Sequence, residues 1–442
     1  MPVAAVPQYL GKDFSQASPG LRFGMYLPLW GTNQRSEELL WSTHDIAYEM
    51  RGQQQQEREV KKENKVTALQ QACALSTADK HIGKAMLQRQ NQIFDHLPPA
   101  QALRLHATAV APFTTGLGNE HPLENGFAFL NPYGLPYLAG SGVKGVLRTA
   151  AKELASGQWD GKDWNHAEEL RHDVHESDGP EGKQGKRLFS ASDLDVLFGS
   201  EALDGENHLR GVLSFWDVIP QIEGNSLMVE IMTPHQSHYY QEKNTAGSTS
   251  PHDSGSPNPI SFLTVPPKSA FAFHVVCDSA RLAHLAPDLA HNDRWKVLLT
   301  EAFEHAFAWL GFGAKTSVGY GAMERDRKAE AKLANAQAEA QAAAEQAAKM
   351  ASLSDNARLI EAFVLACQHK LVQLRGSKEK PNAETHAKAR SLAKAALEGA
   401  DWSAEEKRAA AQALAEWLPQ VVSVDMKDER KKLKLSMLRG DA

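Results

Sequence analysis

The chain has 442 residues, 42% of them hydrophobic and 23% charged, a globular balance with room for two or three domains. Its formal net charge of −6 excludes a bulk electrostatic basis for nucleic-acid binding, so any polyanion site must be a local patch. Three scattered cysteines, Cys73, Cys277 and Cys367, form no CxxC spacing, which argues against a disulfide framework or thiolate zinc site and for a reducing, cytoplasmic location. The start, "MPVAAVPQYLGKDF", has no basic n-region followed by an apolar run, and no stretch is apolar enough to span a membrane.

In chain order, residues 1–35 are punctuated by Pro and Gly, and 36–95 read as polar and helical. Within the latter, "RGQQQQEREVKKENK" reads as a solvated helix or loop. Residues 1–99 are therefore expected to be an irregular and helical segment packing on the core. "ALRLHATAVAPF" alternates Leu103, Leu105, Ala107 and Ala109 with Arg104, His106, Thr108 and Val110, the period of a strand with one polar face. A long Gly/Asn/Pro loop leads into a helix starting near Ser141. "GQWDGKDWNHAEELRHDVHESDGPEGKQGK" reads as a mobile insertion with at most one short helix. Strand signals return at 211–220, 225–234 and 260–277. A helix over "NDRWKVLLTEAFEHAFAWLG" then leads through "GFGAKTSVGYGAMER" to a last strand.

This order predicts an α+β domain over 100–325, an antiparallel sheet with helices packed on one face. From about residue 326 the composition changes. "DRKAEAKLANAQAEAQAAAEQAAKMASL" has no Gly or Pro and is a strong helix former, read as a connecting helix over 326–350. Residues 351–442 carry amphipathic helix patterns and read as a small all-α module. From Glu324 onward Lys and Arg outnumber Asp and Glu, 21 to 18, leaving the larger N-terminal part acidic.

"AGSGVKGVLR" at 139–148 spells G-x-G-x-x-G, but the segment before it contains Pro132 and Pro136, poor residues for a buried parallel strand, and a polar insertion follows its helix. A dinucleotide fold is therefore not expected. "GFGAKTS" at 311–317 fails as a P-loop because Ala314 stands where the glycine before the lysine must be. Two readings of 139–148 stay open. In one, Ser141 caps the helix, the glycines let an anion approach, and Lys144 and Arg148, four apart on one face, add charge. In the other, the glycines tighten a helix against a sheet and both cations are solvated. "GFGAKTSVGYG" likewise reads either as a ligand-facing loop offering Lys315, Thr316 and a base-stacking Tyr320, or as a tight turn with Tyr320 in the core.

Together these motifs are similar to those of the RAMP superfamily of CRISPR proteins. "GLPYLAGSGVKGVLRTAA" resembles its P-G-S-S-x-K-G-x-x-R signature, "DLDVLFGS" with "RGVLSFWDVIP" its L-F-G…G-x-L-x-F-x-D-A block, and "GFGAKTSVGYG" its C-terminal glycine-rich loop, all in family order. "EIMTPHQSHYYQ…SPHDSGSPNPISFLTV" further resembles the sixth-subunit family of type III-B Cmr effector complexes. Ala139 replaces the signature's usual proline and Gly142 its second serine.

The resemblance implies a modified ferredoxin-like (RRM-like) domain in a ribonucleoprotein, with guide RNA, target RNA and other Cmr subunits as partners and no small-molecule cofactor. It implies a non-catalytic subunit at one end of the complex backbone, holding the 3′ part of the guide RNA in antiviral defence. Gly140, Ser141, Lys144, Gly145 and Arg148, with Lys315, Thr316 and Tyr320, become candidate RNA contacts. The alternative is a repeat-processing endoribonuclease with His106 or His238 as general acid/base. His121 and the "HQSHYY" run with His235, His238 and Tyr239 are further candidates. A metal reading of His235, His238, His252 and Asp253 rests on HxxH alone, which is weak, and no metal is expected.

Overall fold

The computed structural model describes residues 2–11, 13–51, 56–161, 163–164, 171–175, 187–200, 208–233 and 259–440. It divides into two compact units, residues 1–330 and 331–442. Among the described residues no helix is long and apolar enough to cross a membrane.

The first unit opens with helix α1 (Pro19–Gly24) and an antiparallel hairpin, β1 (His44–Arg51) with β2 (Gln56–Glu63). This hairpin replaces the expected solvated helix or loop. In β1, Ile46, Tyr48 and Met50 alternate with Asp45, Ala47 and Glu49, a period of two that suits a strand. Helices α2 (Lys65–Cys73) and α3 (Thr77–Asp95) follow, and α3 starts at a capping box in which Ser76 and Asp79 satisfy each other's backbone N–H.

The central sheet is built on β3 (Ala102–Ala109), the strand expected from the alternation. Helix α4 (Gly140–Ala155) comes next. Within the stretch read as a mobile insertion, 157–186, residues Arg171–His175 form β4, which pairs with β5 (Arg187–Ser192) just beyond it, before the short helix α5 (Asp193–Phe198); residues 162, 165–170 and 176–186 lie outside the described residues. The segment 211–220 supplies only a three-residue strand, β6 (Leu213–Phe215). Strands β7 (Met228–Met232) and β8 (Ile260–Thr264) pair as a separate hairpin. The run 260–277 is thus broken in two, because Pro266 and Pro267 interrupt it before β9 (Ala270–Cys277). Helix α6 (Arg294–His305), continued by a π-turn over Ala306–Leu310, and β10 (Met323–Arg325) complete the domain.

The four-stranded sheet has the order β6-β9-β3-β10 with every pairing antiparallel. Register opposes Phe271 to Ala107 and Phe273 to Leu105, placing these side chains on one face. That face is the core, packed under Val143, Leu147, Ala150 and Leu154 of α4 and Trp295, Leu298, Ala302 and Phe303 of α6. The rings of Phe273 and Phe303 stand edge to face at 5.3 Å.

The opposite face is also covered, contrary to the expectation of helices on one face only. Arg104 and His274 are opposed there in register. Arg104 pairs with Asp95 of α3 at 2.9 Å, and His274 Nε2 meets Asn91 Oδ1 at 2.8 Å. Phe94 packs edge-on against His274 at 4.9 Å and Trp216 at 5.6 Å. Arg104 of β3 and His274 of β9 therefore serve as attachment points for α3 rather than as a wet surface.

The second unit is all helical. Helix α7 (Arg327–Ser352) enters it from the first unit and has no buried residue. Helices α8 (Asp355–Leu374), α9 (Glu384–Glu398) and α10 (Ala404–Val421), with short α11 (Met426–Lys432) and α12 (Leu435–Arg439), enclose a core of Phe363, Leu392, Leu414, Leu418 and Leu435. Alanines 389, 393, 396, 410 and 411 interleave with these and are buried, so the helices can approach closely. The buried His386 ring joins α9 to α11 through Glu429 Oε1 at 2.7 Å.

His274 gives this fold a pH signature. Burial first, then the neighbouring Arg104 and His106, push its pKa down to about 3 from an ordinary 6.5. The unfolded chain therefore binds a proton that the native chain refuses, and the stabilising difference, whole above pH 6.5, is lost as pH falls toward 3. Urea unfolding at pH 7 and pH 4.5 should show a larger loss of stability for the wild type than for His274→Gln. Equal losses in the two proteins would contradict this assignment.

Candidate nucleic-acid interface

The start of α4 is fixed by its neighbours rather than by its own serine. Ala139 occupies the N-cap position, and Ser141 lies inside the first turn with no capping bond. The amide of Gly140 instead donates to Asp217 Oδ1 at 2.7 Å, two residues beyond the end of β6. A Cβ at Gly140 would fall 2.1 Å from the carbonyl oxygen of Phe215, so only glycine lets the helix start this close to the strand. The amides of Gly142 and Val143 both donate to Ala139 O. Ser141 thus carries the one amide of the first four without a partner among the described residues. With Asp217 already at its positive end, the helix terminus itself is a poor phosphate cradle, which corrects the expected capping role of Ser141.

The side of α4 differs from its end. Val143, Leu147, Ala150, Ala151 and Leu154 face the core, which turns Ser141, Gly145, Arg148 and Lys152 outward with Lys144 beside them. Lys144, Arg148 and Lys152 recur every fourth residue, about 6 Å apart along the axis. Among the described residues none of the three has an ion pair or side-chain hydrogen bond. Lys152 was not among the residues singled out from sequence, although its i+8 spacing from Lys144 was there to be read. Between these cations sits Gly145, where an added Cβ would meet nothing within 4 Å. Packing therefore does not require glycine at this exposed position, and its absent side chain leaves the helix backbone open to close approach.

The second glycine loop is accounted for by the chain itself. A Cβ at Gly313 would lie 2.2 Å from Thr114 O, and one at Gly321 1.8 Å from Phe312 O. Both residues hold positive φ, as do Gly311, Gly319 and Lys315. Lys315 points at the β7–β8 hairpin, with Nζ 3.3 Å from Met232 Sδ and 5.2 Å from the centre of the Phe262 ring. Thr316 begins a single 3₁₀ turn, Thr316–Val318. Tyr320 is half-buried 5.6 Å from Phe262. Its hydroxyl pKa is raised by burial and by the hydrogen-bonded Glu230 carboxylate. Among the described residues no hydrogen bond or ion pair joins this group to the α4 line.

The histidine candidates have structural surroundings. The backbone of His106 donates to Glu330 Oε1 at 3.0 Å, while its ring Nε2 is buried without a hydrogen-bond partner among the described residues. Burial and Arg104 lower its pKa. His121 stacks on Phe23 at 4.0 Å, with Nε2 3.1 Å from Phe23 O and Nδ1 accepting from the Leu123 amide at 3.2 Å. His235, His238, Tyr239, His252 and Asp253 lie outside the described residues. Among the described residues no cluster of three or more His, Cys, Asp or Glu could hold a metal ion. Ahead of α4, Leu138 bridges antiparallel to Val218 rather than ending a parallel strand, in keeping with the rejected dinucleotide fold.

Residues 106–324, which span β3 to β10, match the RAMP superfamily. This stretch is a RAMP superfamily domain. The chain is 31% identical over 235 residues to the CRISPR system Cmr subunit Cmr6 of Pyrococcus furiosus. The match covers 47% of this chain and 63% of that protein, so it spans less than two thirds of the relative's length. Among solved structures, a chain of the type III-B Cmr-beta complex bound to cognate target RNA is similar at 18% identity, covering 55% of this chain and 66% of its own, with a TM-score of 0.35. The crystal structure of Cmr6 from Pyrococcus furiosus is similar at 24% identity over 52% of this chain and 100% of its own, with a TM-score of 0.25. A chain of a type IV-B CRISPR complex is similar at 13% identity over 51% and 89%, with a TM-score of 0.30.

Two of the three glycines in α4 are expected to behave oppositely. Gly145→Ala should raise the unfolding free energy by about 1 kcal/mol, the difference between glycine and alanine inside a helix. Gly140→Ala should lower it, because the new methyl group collides with the Phe215 carbonyl. Urea titration of the two variants checks this, and a stabilised Gly140→Ala or a destabilised Gly145→Ala would refute the corresponding geometry.

Proposed function

We propose that this chain is an RNA-binding subunit of a type III-B CRISPR effector, and that the outward side of α4 holds the sugar–phosphate backbone of the guide RNA. The observation that carries the reading is the line of Lys144, Arg148 and Lys152 flanking Gly145, a helix surface whose cations have no ion pair among the described residues. Phosphate contacts of this kind position RNA without reading its sequence. The similarity to Cmr6 supports the effector assignment, with other Cmr subunits and a target RNA as further partners. Lys315, Thr316 and Tyr320 are a second, subsidiary contact in this reading, since Lys315 and Tyr320 first have to leave Phe262 and Glu230.

We also infer a modified ferredoxin-like topology. The succession β3, α4, β6, β9, α6, β10 and the sheet order β6-β9-β3-β10 support it. In an RRM, bases stack on the open sheet face; here α3 occupies that face, so RNA is directed to helix sides and loops. The reading keeps 100–325 as the RNA-binding domain, 1–99 as a segment packed on it, 326–350 as a connecting helix and 351–442 as a helical domain. It assigns no catalytic residue, because the surroundings of His106 and His121 support strand cover and loop closure rather than proton transfer. A cytoplasmic setting is supported by Cys73, Cys277 and Cys367, all buried and unpaired, with thiols pushed up to about 12 by burial.

Replacing both Lys144 and Arg148 by Ala removes two phosphate contacts. The slope of log affinity for single-stranded guide RNA against log salt should fall by about 1.4. Affinity at low salt should fall while far-UV circular dichroism stays unchanged. An unchanged slope in the double variant would remove α4 from the interface.

A further inference from the structure

A second surface of the RAMP domain is chemically unlike the α4 line. Glu301, His305 and Trp309 recur every four residues along α6 and its π-turn, which brings them toward one side. The chain leaving α4 folds back over this side. It is held by Trp164, a fully buried indole whose Nε1 donates to Leu298 O at 2.9 Å. Trp159 consequently lies 4.6 Å from the His305 ring and 5.3 Å from Trp309. Trp309 is 68% exposed and Trp159 37% exposed, so two touching indoles face solvent.

Carboxylates lie on the same segments. Glu153 meets His305 Nε2 at 2.6 Å, and Asp160 is exposed and unpaired among the described residues. Glu301 is hydrogen-bonded to Asp163, and its Oε2 is buried without a described hydrogen-bond partner. Burial and then the Asp163 charge push the Glu301 pKa up to about 7, so negative charge on this pair is held at a cost that an incoming cation would relieve. Among the described residues the side chains in these contacts include no lysine or arginine. Indole faces attract cations and the carboxylates add to that attraction, whereas an RNA phosphate would be repelled. Tryptophan is also the residue type most often found at the energetic centre of protein interfaces.

We propose that Trp159 and Trp309, with Glu153, Asp160, Asp163 and Glu301 on the same segments, form a docking surface for a neighbouring protein subunit that inserts a Lys or Arg side chain from an otherwise apolar surface. The proposal rests on the reading that this chain works in a multi-subunit effector. Its geometry separates two jobs on one helix: Lys144, Arg148 and Lys152 of α4 face RNA, and the chain beyond Glu153 faces protein.

The test co-expresses this full chain, without guide RNA, with each other protein subunit of the same effector, and measures pairwise affinity by biolayer interferometry. One subunit should bind the wild type, and Trp159→Ala with Trp309→Ala should weaken that binding by about tenfold or more. Asp160→Lys, at an exposed position outside the core, should weaken it as well, and raised salt should mimic that loss. Guide-RNA affinity should change less than twofold in all variants. Unchanged protein affinity in both the tryptophan and the lysine variants would overturn the proposal. Lost RNA affinity with protein affinity intact would overturn it too, marking the indoles as a base-stacking site. If the wild type bound none of the subunits, the effector reading itself would fail.

Discussion

The 2.7 Å bond from the Gly140 amide to Asp217 is the constraint on which the placement of α4 and the proposed RNA-facing surface depend. It joins the first residue of α4 to the chain just past β6, and the missing Cβ of Gly140 allows the Phe215 carbonyl to sit against the helix start. Once that end is pinned, the apolar positions 143, 147, 150, 151 and 154 fix how α4 rolls on the sheet. Ser141, Gly145, Arg148 and Lys152 then face outward because the other side is occupied. Substitution of Asp217 would therefore act on the cation line through the position of the helix, without touching RNA itself. The same bond places a carboxylate where a phosphate would otherwise bind, which shifts any anion site from the helix tip to its flank.

The second constraint is that the sheet is covered twice. Phe271, Phe273 and Leu105 bury against α4 and α6, while Arg104 and His274 are engaged by Asn91, Phe94 and Asp95 of α3. A sheet closed on both faces has only its short edge strands and its connections left for contact. The external surfaces are accordingly divided between a cationic helix flank and an aromatic, acidic patch, and their opposite charge makes them suited to different partners. The helical unit beyond residue 330 is internally complete, with its own core and the buried His386–Glu429 bond, so it folds around contacts of its own.

The legible parts of this fold were those with a strong period and a local cause. The alternation in 102–109, the helices at 140–155 and 294–305, and the Ala-rich run after 326 are all present in the structure. The hairpin over 44–63 is hard to read from composition because Glu- and Lys-rich β2 resembles a solvated helix, and the alternation of Ile46, Tyr48 and Met50 is confined to its partner strand. The role of Asp217 was not readable, since it lies 77 residues from Gly140 and acts only through the tertiary fold. The cover on the second sheet face was hidden for the same reason: Arg104 and His274 look like a polar surface until α3 is laid across them. Of the candidate site, the α4 residues were legible as a helical face, but glycine roles were not. Gly313 and Gly321 make room for the chain's own carbonyls, whereas an added Cβ at Gly145 or Gly319 would meet nothing within 4 Å, and of these two Gly145 has the helical backbone that needs no glycine.

Photo-crosslinking of uniformly 4-thiouridine-labelled guide RNA to the assembled protein, followed by mass spectrometry of the crosslinked peptides, is the most direct measurement of the central claim. The account predicts that the main crosslinked peptide spans 141–152 and that peptides containing Trp159 and Trp309 are unlabelled. A crosslink map confined to other segments, with 141–152 protected only by protein, would contradict it.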